Sequence, residues 1–411
     1  RLALFSIMML ALVAPTLPAA AGPSAAGAAP NTLERSLEPV VLQGVQSGRP
    51  VDQIFVYRYS GGAWEQIPSQ VDERDTGGNY VPEEDGIMDV NDELVFMSGD
   101  VGDLTTDPIG DALPITGLWD VVEITDPLNP GDQGWVYVVH STTLSNTNPA
   151  DYVNYDTDTQ RVTSDDYSLG WAVTGHNGLD YMSLFGGDDV LDRTKVRISY
   201  RFIFLFELTE DDFPLDSLVL IKDGPVRALL KRGATVTEAY RAFVRTAFPI
   251  DLSTVPGTLE EVRISTDLAA GVTGTYYDEN HPEGVTVDGV PDDVLPTPFD
   301  QAWRQVTVGE GSNIQVGQLG QIGGDQMHYY KDSLLLDPED TGDLRSYGDS
   351  GFDILNPATE VFTLTTGQFF VPASMGNQGA TYYQYFQNPL QVAVTPVYQY
   401  RSFLPALMAQ D

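Results

Sequence analysis

The chain has 411 residues with 59 Asp and Glu against 21 Lys and Arg, a formal net charge of −38. Such a field repels nucleic-acid phosphates and anionic lipid, which excludes both as natural partners and leaves cations as the favoured counter-ligand. A hydrophobic content of 42 % is enough for a packed core, and the complete lack of cysteine excludes disulfides, thiol catalysis, zinc–thiolate sites and iron–sulfur clusters.

In chain order, the opening residues read as an export signal. Arg1 precedes the apolar run from Leu2 to Ala14, and Ala19-Ala20-Ala21-Gly22 offers small-residue cleavage positions. The run is too short to cross a bilayer as a helix, so no transmembrane segment is expected in the mature chain. Residues 1–30 are therefore assigned to a signal peptide and flexible leader, and the protein to the secreted or cell-surface fraction.

Residues 31–145 read as a small antiparallel β-sandwich. Asp52 to Tyr59 is rich in β-branched and aromatic residues and stops at Gly61-Gly62, after which Trp64 to Pro68 resumes, the pattern of a hairpin. An acidic, turn-rich loop follows and closes in the buried strand Glu93 to Met97. Oxygen-bearing side chains at Asp85, Asp89, Asn91 and Glu93 have the alternate spacing of loops that wrap a hard cation, so Ca²⁺ is expected there. Leu118 to Ile124 and Gly134 to His140 supply two more strands.

In this module the segments IPSQVDERD and NDELVFMSGDVGD are similar to the opening module of a group of secreted bacterial β-sandwich proteins. In that group a Q-V-D-x-x-D turn precedes a D-E-L-V-F strand. The resemblance covers about a tenth of the chain, and it implies export and β architecture but no substrate.

The polar, Asn- and Asp-rich residues 146–166 suit a linker, and 167–398 a larger antiparallel sandwich of the doubled, supersandwich-like kind. Its central stretch is Arg193 to Leu208, taken as one strand. Arg193, Lys195, Arg197 and Arg201 lie on one face at period two, with Val196, Ile198, Tyr200 and Phe202 on the other. With Arg227 these cations offer Arg forks to the carboxylates or sulfates of an anionic polysaccharide. If its edge is unpaired, residues 201–208 also offer a surface for self-assembly.

Further on, short β-branched or aromatic segments recur, among them QVTVG, FTLTTGQFFVP, TYYQYF and PLQVAVTPVYQY. Val236 to Phe248 carries both periods, and its β-branched content favours strand over helix. His328, Tyr330 and Lys331 are the one place where an acid, a base and a cation stand together, a candidate for proton abstraction from a uronate. In a strand, however, Lys331 points away from the other two. Asp337, Glu339 and Asp343 surround a glycine at the sixth position of a calcium-type loop but lack the closing glutamate. Residues 399–411 form a short tail similar to the ends of some exported bacterial surface proteins.

The fold expected is all-β, two antiparallel sandwiches of unequal size. The function expected is a secreted, calcium-stabilised protein that binds carbohydrate or builds an extracellular layer. The alternative is a polysaccharide-active enzyme of the lyase or sugar-epimerising type, with its site in the second sandwich.

Overall fold

A computed structural model describes residues 28–397, apart from 83–84, 108, 116, 254–256 and 293. The expected export signal and the expected C-terminal tail lie outside the described residues. Every strand pairing is antiparallel, and the strands form two sandwiches. The expected all-β fold is the one observed.

In the first sandwich a three-stranded sheet, ordered Pro39–Gln43, Glu93–Met97, Gln70–Asp72, faces a five-stranded one. Alternation fixes the faces: Val40, Leu42, Leu94 and Phe96 meet Ile54, Val56, Val122, Ile124, Val136 and Val138 in a dry core. The expected hairpin joins Ile54–Ser60 to Ala63–Gln66. Its turn needs positive φ at both central positions, and Gly61 (φ 59°) and Gly62 (φ 85°) provide it without steric cost.

The second sandwich pairs a six-stranded with a nine-stranded sheet. The six run in the order Leu205–Thr209, Leu191–Arg201, Thr258–Leu268, Ser346–Leu355, Asp325–Ser333, Thr297–Pro298. The inner face of this sheet packs Ile198, Tyr200, Val262, Phe352 and Ile354 against Ile250, Phe362 and Leu364 of the larger one. Val236 to Phe248 is strand, split between Thr235–Tyr240 and Phe243–Asp251. The two sandwiches meet where Val95 and Met97 pack with Val226, Tyr240 and Phe243. Among the described residues no helix is long and apolar enough to cross a membrane.

Four local expectations differ from the structure. Residues 154–156 and 161–163, expected as linker, are the last two strands at one side of a four-stranded sheet whose Val162 and Leu169 pack against Ala228 and Leu230. Gln391–Val397, expected to end the second sandwich, hydrogen-bonds to Trp119–Thr125 of the first, because the chain returns after its last helix to cover an open edge. TYYQYF lies in the helix Gly379–Gln387, in which Tyr382 and Phe386, four residues apart, reach Phe369 and Phe243; aromatic packing overrides strand propensity here. The stretch Arg193 to Leu208 is a hairpin, not one strand. Its turn and outer strand form a sheet edge that leaves Phe202, Ile203, Phe204, Leu205 and Phe206 exposed.

Candidate acid–base site

The outward face of the six-stranded sheet carries most of its charge. Register places Arg193 opposite Asp267, Lys195 opposite Ser265, Arg197 opposite Arg263, and Ser199 opposite Glu261. The next strand continues the face, with Arg263 opposite Asp353 and Ser265 opposite Gly351; Lys331 then lies opposite Asp349 and Tyr329 opposite Gly351. Gly351 is required between the two acids, since a Cβ there would sit 2.0 Å from the carbonyl oxygen of Ile264.

One end of this face is deeply buried. Lys195 Nζ is 2.7 Å from Asp267 and 3.0 Å from Asp340, and donates to the Arg345 carbonyl at 2.6 Å. Arg197 donates to Glu210 and Asp340, both at 2.8 Å, so the 334–345 loop closes over this end. Burial, then the nearby Asp349, raises the pKa of the Asp267 carboxyl against the pull of Lys195.

The other end is partly open. Arg263 lies over the Tyr329 ring at 4.3 Å, and the Arg263 and Glu261 side chains are each 22 % exposed. The Asp353 carboxyl lies near that of Glu261 and is pushed up to about 7, by burial first and Glu261 next, with Arg263 opposing. A second carboxyl beside a buried one disfavours its ionised form, which adds to the effect of burial. Asp349 Oδ1, Asp353 Oδ1 and Ser265 Oγ are buried with no hydrogen-bond partner among the described residues.

Only part of the expected constellation converges here. Arg193, Lys195 and Arg197 lie on this face but are paired, Arg193 with Glu210 (3.4 Å) and Asp211 (3.0 Å). Arg201 binds Glu260 at the exposed end of its strand. Arg227 is elsewhere, fully buried between the sandwiches on Asp72 (2.7 Å), Glu93 (2.6 Å) and Glu238 (3.4 Å).

His328, Tyr330 and Lys331 are not brought together, because period two sends them to opposite faces. His328 is packed inside against Phe299 and Phe352, and burial drives it down to about 4. Tyr330 stacks on Tyr276 in the core at 4.3 Å, while exposed Lys331 reaches Asp337 at 3.7 Å.

The acidic loop around residue 89 satisfies most of its own oxygens. Glu93 accepts from Arg74, Tyr80 and Arg227; Asp92 accepts from the amides of Arg74 and Asp89. Asp85 caps the Ile87 amide, and Asn91 donates to the carbonyls of Arg74 and Asp75. Asp89 takes part mainly through its amide, so the expected ring of free ligands is not formed. In the later loop Asp337 caps Glu339, whereas Asp343 meets Asp192 and Asp267 with carboxylate oxygens all within 4.8 Å.

Glu261, Arg263, Asp267, Asp349 and Asp353 are not singled out by the sequence. The signal is present as polar alternation in EEVRISTD and DSGFD, each a strand with charge on one face.

The sequence matches no protein-family model and none of the curated proteins. Among solved structures the chain is similar to an alpha-mannosidase from Enterococcus faecalis V583, at 10 % identity and a TM-score of 0.48, over 90 % of this chain and 45 % of that one. It is also similar to a glycosyl hydrolase family 38 protein from Enterococcus faecalis, at 9 % identity and a TM-score of 0.46, over 89 % of this chain and 46 % of that one. The chain thus spans less than half the length of either, and likeness at this level assigns no role to any residue.

Proposed function

We propose that this protein is an exported carbohydrate-active enzyme that works on the outward face of the six-stranded sheet. The observation that supports it is the buried Asp353 carboxyl, raised with Glu261 as a near neighbour, beside Arg263 and Tyr329. Asp353, holding its proton near neutral pH, protonates a departing sugar oxygen; Glu261 takes up the proton from the attacking or carbon-bound side. Arg263, held in place over the buried Tyr329 ring, binds a sugar carboxylate or hydroxyl. A uronate carboxylate at Arg263 would suit the lyase or epimerising type.

The competing reading is carbohydrate binding without turnover. A panel of neutral and uronate-containing polysaccharides, assayed for binding and for new reducing ends or unsaturated products, separates the two. Turnover lost in Asp353→Asn while binding persists supports the enzyme. Binding that survives in all variants with no turnover anywhere supports the module. Glycan binding and turnover both unchanged in Asp353→Asn and Glu261→Gln would place the activity elsewhere and sink this reading.

Calcium belongs to this proposal at Asp343, whose carboxylate converges with Asp192 and Asp267. A melting temperature raised by millimolar Ca²⁺ and insensitive to it in Asp343→Asn supports the ion; no shift in the wild type removes it.

A further inference from the structure

The inner face of the same sheet hides a different feature. Towards the Arg232 end the two sheets separate and enclose a cavity of about 450 Å³. Val196, Ile198 and Ile264 wall it on one side, and Val244, Phe248 and Leu364 on the other. Its size lies within the roughly 300–1,000 Å³ of small-molecule sites. Loose packing is not general in this sandwich: the neighbouring void by Val262 and Phe352 measures about 10 Å³, room for about one water.

Three acids and one cation line the cavity, and the cation is the one left short of partners. Arg232 lines it and is only 7 % exposed. Its Nη2 donates to the Ala172 carbonyl at 2.9 Å, while Nε and Nη1 have no partner among the described residues. No carboxylate of the described residues lies within ion-pair distance of it; Asp180 and Asp216 act on it only from further away. Arg304, buried behind the opposite wall, donates to Gln315 (3.0 Å) and Thr266 (2.6 Å), and both of those acceptors line the cavity. Of the acids on the lining, Glu210 is held by Arg197, and Asp216 and Asp251 are exposed. With 59 acidic residues in the chain, a buried guanidinium on the lining that has two open donors and no carboxylate of the described residues within ion-pair distance leaves a place for an anion from outside.

We propose that this cavity binds an amphiphilic monoanion of the fatty-acid class, its alkyl chain between the two sheets and its carboxylate on the open donors of Arg232. Residues 213–216 form part of the rim. Asn177 latches them, donating to the Pro214 carbonyl at 2.6 Å and accepting from the Asp216 amide at 2.8 Å. The ligand would enter by release of that latch. This site is independent of the acid–base pair, which lies on the other face of the sheet.

The test is titration of the full chain with hexadecanoate, hexadecanol and hexadecyltrimethylammonium below their micellar concentrations, read by calorimetry and native mass spectrometry. Hexadecanoate is expected to bind one to one, about tenfold or more tighter than the alcohol, with the cationic amphiphile weakest. Arg232→Met should remove that preference, and Thr246→Trp, which fills the cavity, should abolish binding at an unchanged melting temperature. Should the Trp variant not fold, the rise in wild-type melting temperature on adding hexadecanoate, absent in Arg232→Met, reads the same property. No binding of hexadecanoate, equal binding of the alcohol, or binding that survives in a folded Thr246→Trp protein would overturn the proposal.

Discussion

Two charged networks in this molecule use the same kinds of residue to opposite ends. Between the sandwiches, Arg227 spends its donors on Asp72, Glu93, Glu238 and the Tyr240 hydroxyl, and Gln70 binds the Val226 and Arg227 amides. Every charge there is answered, so nothing remains for a ligand; it is a joint. On the outward face of the six-stranded sheet the carboxyls outnumber their donors, and burial with Glu261 nearby makes Asp353 hold its proton. Three buried oxygens there have no partner among the described residues. Satisfied networks hold structure, and under-satisfied ones have capacity for chemistry.

The sharpest way to break this contrast is Arg227→Met. It removes the guanidinium that three buried carboxylates share, leaving them only their secondary partners, and should cost about 3–5 kcal/mol in denaturant unfolding. A loss below about 1 kcal/mol would mean that the joint is not what holds the sandwiches together. Lys195→Met should cost clearly less, because burial raises the proton affinity of Asp267 and its carboxyl can take up a proton once the ammonium is gone.

Titration sharpens the other side. Asp353 binds its proton more tightly folded than unfolded, so it contributes stability below about pH 4, and that contribution is lost as pH rises through about 7. The difference between the unfolded and folded proton affinities corresponds to up to about 4 kcal/mol, shared with Glu261. Unfolding free energies measured between pH 4 and 8 should fall with pH in the wild type and fall less in Asp353→Asn. An identical slope in both proteins would remove Asp353 as the proton-holding group. The smallest effect belongs to the exposed Arg201–Glu260 pair, where Glu260→Gln should leave the unfolding midpoint unchanged.

The strands of both sandwiches were legible because alternation reports directly which side of a pleated sheet is buried. Arg193, Lys195 and Arg197 were placed on one face for that reason, and they do share it. What alternation does not report is the neighbour. Arg227 reads as a free cation in LIKDGPVRALLKR, yet Asp72 and Glu93, more than a hundred residues away, claim it. His328 likewise reads as catalytic beside Tyr330, until Phe299 and Phe352 close over it.

The sequence by itself determined the all-β class, the acidic surface, the absence of thiol chemistry and the face on which each strand's charges lie, since these follow from composition and period two. The tertiary structure decided which cations are neutralised and that Asp353 meets Glu261. It also decided that Gln391–Val397 returns to the first sandwich and that a cavity opens beside Arg232. Each of these depends on long-range strand register, which no local pattern encodes.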